Sequence, residues 1–94
     1  MLIIAGWLRV DATTRDRYVA DCHAVVQEAR AAPGCLDFAI GADPLEPDRV
    51  NVYERWESDE GLMRFRGSGP SSEQTAQIRD AQVRKYRISA VEEP

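Results

Sequence analysis

Three consecutive pieces decide the fold: Cys35-Leu36-Asp37-Phe38-Ala39-Ile40-Gly41-Ala42, then Asp43-Pro44-Leu45-Glu46-Pro47-Asp48, then Arg49-Val50-Asn51-Val52-Tyr53-Glu54-Arg55-Trp56. The first alternates Leu36, Phe38 and Ile40 with Cys35, Asp37 and Ala39, a period of two that belongs to a strand. The second carries two prolines and three acids and reads as a turn. In the third, Val50, Val52 and Trp56 share one side and Tyr53 takes the other. The stretch is therefore an antiparallel hairpin closed by a loop of about six residues.

Outward from the hairpin, Pro33-Gly34 marks the end of a preceding helix, since proline cannot continue it and glycine takes the left-handed turn. That helix starts near Thr13 or Thr14, either of which can cap it, with Asp16 in the positive first turn. Its apolar stripe is Tyr18, Cys22, Val25, Val26 and Ala29. Leu2 to Val10 is short and apolar and reads as a first strand. After the hairpin, Ser58 caps a second helix with Asp59 and Glu60 in its first turn and Leu62, Met63 and Phe65 as its apolar face; Gly67-Ser68-Gly69-Pro70 ends it. A short helical piece over 72–79 precedes a last strand over 82–91. The order β-α-β-β-α-β is that of an α+β, ferredoxin-like domain over residues 1–94, with an antiparallel sheet and both helices on one face. The first and third strands are apolar on both sides, so both faces of the sheet need cover, and two helices cover one. A second copy packed sheet against sheet supplies the rest, which predicts a homodimer.

Composition excludes several classes of function. Sixteen acidic against twelve basic residues give a net charge of −4, the wrong sign for a phosphate backbone, so no nucleic acid is expected. The apolar run at the N-terminus is broken at Arg9 and Asp11, too short for a signal peptide or a membrane span, and a cytoplasmic protein is expected. One histidine and two cysteines without ligand spacing leave no metal site. The glycines match neither a phosphate loop nor a dinucleotide motif, so no organic cofactor is indicated.

The candidates for chemistry are few. His23 is the one side chain that titrates near neutrality without perturbation, though a half-solvated residue on a helix flank is the plainer account of it. Trp7, Phe38, Tyr53, Trp56, Phe65 and Tyr86 offer ring surface to a flat ligand, or else core and interface. Asn51 can orient a carbonyl or satisfy a strand edge. Arg66 can meet an anionic oxygen or extend into solvent.

Ala32-Pro33-Gly34-Cys35-Leu36, the acidic turn ending in Asp48-Arg49, and Val52-Tyr53-Glu54-Arg55-Trp56-Glu57-Ser58 together resemble the antibiotic biosynthesis monooxygenase family. The resemblance implies a dimeric α/β barrel and oxygen chemistry without metal, haem or flavin. It also implies a small aromatic substrate, a phenol, quinol or anthrone whose anion reduces O₂ itself. Trp56 matches a tryptophan that lines the pocket in several members. Val52 and Leu62 stand where an actinorhodin-type monooxygenase has asparagine and tyrosine, and Phe65 where many relatives have histidine. Gly6 or Trp7 replaces the asparagine of the haem-degrading branch, and no histidine follows Trp56.

The expectation is a cofactor-independent, monooxygenase-like protein, with Trp56 packing the ring and His23 or Tyr86 accepting a proton. Arg66 or Asn51 partners the anion, and Trp7, Tyr53 and Phe65 complete the binding surface. The alternatives are a dimeric ligand-binding protein without turnover, or an isomerase or stress-related member of the same fold.

Overall fold

Cys35–Ala42 (β2) and Arg49–Trp56 (β3) pair antiparallel in the computed structural model, which describes residues 1–67 and 75–94. Leu2–Arg9 (β1) pairs with β3, and Asp80–Arg87 (β4) pairs with the free edge of β1, giving a four-stranded sheet in the order β2-β3-β1-β4. Each helical connection crosses between non-adjacent strands, and the fold is α+β and ferredoxin-like. The last strand runs over Asp80–Arg87, where the sequence predicts 82–91. Of the helical piece expected over 72–79, residues 72–74 lie outside the described residues, and helix is seen over 75–76 alone among the rest.

The expected first helix is two segments, Arg15–Asp21 (α1) and His23–Ala31 (α2), joined at Cys22. Cys22 keeps helical backbone angles, but its N–H is shared between the carbonyls of Tyr18 and Val19 at 3.2 and 3.1 Å. The turn is tightened there without reversing the chain. Neither threonine caps α1 through its side chain. Asp11 organises the entry instead, its carboxylate accepting from Thr13 N–H and Oγ1 at 2.8 and 2.6 Å. Ala32 turns extended before Pro33, and Gly34 takes φ +86°, a conformation that favours glycine. Its carbonyl then accepts from Glu57 N–H, tying the end of α2 to the end of β3.

Asp59–Arg66 (α3) is capped by Ser58, whose Oγ accepts from Gly61 N–H at 3.3 Å. Asp59 in the first turn pairs with both Lys85 and Arg87 of β4 at 3.0 Å. These two cations thus anchor the edge strand to the helical layer.

Register divides the sheet into two faces. Leu2, Ile4 and Leu8 lie opposite Trp56, Glu54 and Val50 on the helix side, while Ile3, Ala5 and Trp7 lie opposite Arg55, Tyr53 and Asn51 on the other. A bulge at the start of β2 lets Cys35 oppose Trp56 and Asp37 oppose Arg55, so Leu36 drops out of the alternation and is 40% exposed. The helix side carries two apolar clusters: Leu2, Ile4, Ala29, Phe38, Trp56 and Leu62, and Val10, Tyr18, Cys22 and Val50. Burial of each large side chain there contributes about 1.5–3 kcal/mol. Among the described residues, no helix is long and apolar enough to cross a membrane.

Candidate active site

A cavity of about 420 Å³ opens on the helix side of the sheet. Its wall takes Tyr18 and Cys22 from one cluster and Phe38 from the other, with Val52, Val83 and Phe65 completing an almost wholly apolar lining. That volume falls in the range of pockets that enclose small organic ligands. Two charged side chains interrupt the lining: Glu54 and Arg66.

Glu54 is 8% exposed and is the one charged residue of the core among those described. It belongs to the series Val50, Val52, Glu54, Trp56, so strand geometry alone turns it inward. Its Oε1 accepts from Trp56 Nε1 at 3.0 Å. Burial pushes its carboxyl above the usual carboxylate range, while the Trp56 N–H and the charge of Arg66 oppose that rise. A carboxyl group desolvated in this way, facing a cavity, is poised for proton transfer. Burial also raises the thiol of Cys22 and the phenol of Tyr18, leaving both protonated at neutral pH. Neither cysteine forms a disulfide; Cys22 is buried and Cys35 partly so. No group of three or more potential metal ligands occurs among the described residues.

Of the residues singled out by sequence, Phe38, Phe65 and Arg66 line the cavity. Phe65 packs edge-on against Phe38 at 5.8 Å and tilted against Trp56 at 5.5 Å. Trp56 itself is fully buried, behind the lining instead of in it. His23 is the exposed first residue of α2. Tyr86, half exposed, lies opposite Ile3 on the far face of the sheet, where Tyr53 also sits. On that face Trp7 stacks under the guanidinium groups of Arg9 and Arg49, at 4.9 and 5.9 Å from its ring centre. Asn51 braces the acidic turn, donating to Asp43 Oδ1 at 2.9 Å and accepting from Arg49 Nε at 2.8 Å. With these partners, the Asp43 carboxyl falls to about 2. Arg15 reaches into the same turn and donates to the carbonyls of Glu46 and Arg49, both at 3.0 Å.

Sequence reasoning passed over Glu54 as a site residue. Its signal is an acid at an inward position of an apolar alternation, and Trp56 two residues later supplies the partner.

The model of the family described as antibiotic biosynthesis monooxygenase matches residues 1–84. The chain belongs to that family. Solved structures agree in fold. A protein of Nitrosomonas europaea named for this family superposes with a TM-score of 0.81 at 12% identity, over 96% of this chain and 100% of that one. One from Deinococcus radiodurans gives 0.80 at 16%, over 100% and 98%. One from Chloroflexus aurantiacus gives 0.75 at 23%, over 98% and 96%. Comparison with curated proteins finds no match.

Proposed function

We propose that the cavity binds a flat phenol, quinol or anthrone and that the chain is a cofactor-independent monooxygenase in which Glu54 is the base. The observation that carries this reading is a carboxylate buried in an otherwise apolar cavity with a guanidinium beside it. When Glu54 takes the proton of the substrate it becomes neutral, and the new organic anion inherits the cation of Arg66. The site holds one negative and one positive charge before and after the transfer, so no lone charge is created in a dry cavity. An anthrone methylene that loses a proton donates electrons to O₂ and forms a C–O bond. Loss of its second hydrogen with cleavage of the O–O bond leaves a ketone and one water, with O₂ as the only oxidant. Phe65 and Phe38 hold the ring, and the apolar lining keeps water from the anion.

In this reading His23 has no part, and Trp7, Tyr53 and Tyr86 belong to the face on which a second copy packs. The isolated chain exposes 6409 Å², against about 5,500 Å² for a compact monomer of this mass. The exposed residues after Arg87 and the open sheet face both contribute. In this reading the working protein is a homodimer that acts in the cytoplasm.

Oxygen uptake by purified protein with a panel of reduced anthrones and hydroquinones tests the reading. Uptake above the protein-free rate, falling by about 10²–10⁴ in Glu54→Gln, is expected. Uptake at the protein-free rate with every compound defeats it. Solvent-deuterium exchange into an anthrone methylene without oxygen uptake assigns the base to an isomerase instead.

A further inference from the structure

The Trp56 indole is not itself part of the cavity's lining, yet it donates the hydrogen bond found on the Glu54 carboxylate. Among the described residues that is the one hydrogen bond this carboxylate accepts. The indole has no freedom to leave. It is wholly buried, lies opposite Leu2 on one side and Cys35 on the other, and stacks on Phe65 at 5.5 Å. Gly61 brings the backbone of α3 so close that a Cβ there would stand 3.6 Å from Trp56 Cε3. The direction of Nε1–H is therefore set by packing on every side of the ring.

An indole N–H is a donor only. It cannot take a proton from Glu54 or relay one, but it can occupy Oε1 in both protonation states. A proton on the carboxyl group must then reside on Oε2. We propose that Trp56 is a positioning residue, whose N–H fixes Oε1 of Glu54 so that Oε2 is the one atom through which the cavity gains or loses a proton. This role rests on Glu54 being the base, and it makes base and conjugate acid act from one point. A proton removed from the substrate is thus held where the departing oxygen can reclaim it.

The ionisable groups on the elements packed about Glu54 are Arg66 of α3, Tyr18 of α1 with Cys22 at its end, Arg30 of α2, Cys35 of β2, and Lys85 of β4. Lys85 is engaged by Asp59, and Arg30 donates to the Phe38 carbonyl at 2.8 Å. Arg66 is thus the charge that acts with Trp56 to favour the carboxylate.

Trp56→Phe keeps most of the ring and removes the donor. Proton affinity of Glu54, followed by carbon NMR of labelled glutamate carboxyls in the free protein, should rise about tenfold. The acid limb of the rate profile should shift upward to match, so that activity recovers at high pH. An unchanged Glu54 titration with activity reduced equally at all pH values overturns the proposal and leaves Trp56 a packing residue. A measurement on the wild type covers the case in which that variant does not fold. The Trp56 indole N–H resonance should move with pH in step with Glu54 and cease to move in Glu54→Gln, with Trp7 as the internal control. A Trp56 resonance indifferent to pH overturns the proposal as well. Both titrations need no substrate, so their failure is distinct from an absence of oxygen uptake.

Discussion

At the scale of single residues, Glu54 imposes a cost that the fold carries for its site. Desolvation raises its pKa in the folded protein, so the protonated form is the one the fold prefers. Below the ordinary carboxylate range the group is neutral in both states and its burial costs little. As pH rises through that range, the unfolded chain ionises first, and stability falls until the pH passes the raised folded value. Glu54→Gln, neutral throughout, should remove this part of the slope. Urea midpoints measured across acid to neutral pH check it: the variant should gain on the wild type as pH rises, and parallel curves would refute the assignment. The same residue shows where the sequence was hard to read. Val50, Val52 and Trp56 identify the inward side of β3, and Glu54 lies on it by parity alone. Its charge favours a solvent position in any one-residue judgement, so only the partnership with Trp56, a tertiary fact, explains its place. The outward locations of Trp7, Tyr53 and Tyr86 follow from parity too, but sequence does not say which face carries the cavity.

At the scale of elements, the strands and the turn between β2 and β3 follow from alternation and proline content, whereas the helical layer departs from its periodicity. A regular stripe from Tyr18 to Ala29 gives no hint of the tightened joint at Cys22, because both sides of the joint face the same core. The bulge after Cys35 is equally silent, since Leu36 fits the alternation that the bulge interrupts. The attachment of β4 depends on Asp59, which pairs with Lys85 and Arg87 and has its carboxyl lowered from 3.8 to about 2. A depressed folded pKa contributes stability above the unfolded value, and that contribution disappears as pH falls from about 4 to about 2. Thermal midpoints of wild type and Asp59→Asn should differ by a constant amount above pH 4 and draw together as pH falls to 2. All three side chains are partly exposed, so added salt should shrink the difference. A gap that stays undiminished at pH 2 would show that the aspartate acts by packing.

For the whole molecule, the helices shelter one face of the sheet and leave Ile3, Ala5, Tyr53 and half-exposed Tyr86 on the other. Arg55 lies among them, with a buried Nε that finds no hydrogen-bond partner among the described residues. If a second copy covers this face, Ile3→Asp places two charges against each other across the two-fold axis. Sedimentation equilibrium should then read a dimer for the wild type and a monomer of 10.6 kDa for the variant. A wild-type monomer at micromolar concentration would remove the dimer from the reading, and the cavity on the opposite face would stand without it. The division of labour between the faces has a further consequence for how the gene can change. Every strand serves two compartments through alternate residues. Deletion of Val50, for example, would exchange their contents beyond that point, sending Asn51, Tyr53 and Arg55 inward and Glu54 to the open side. Substitutions can accumulate on either face independently, but the reading frame of the strand is shared. In a library of single-residue deletions, β3 should therefore be the segment from which no folded survivor returns.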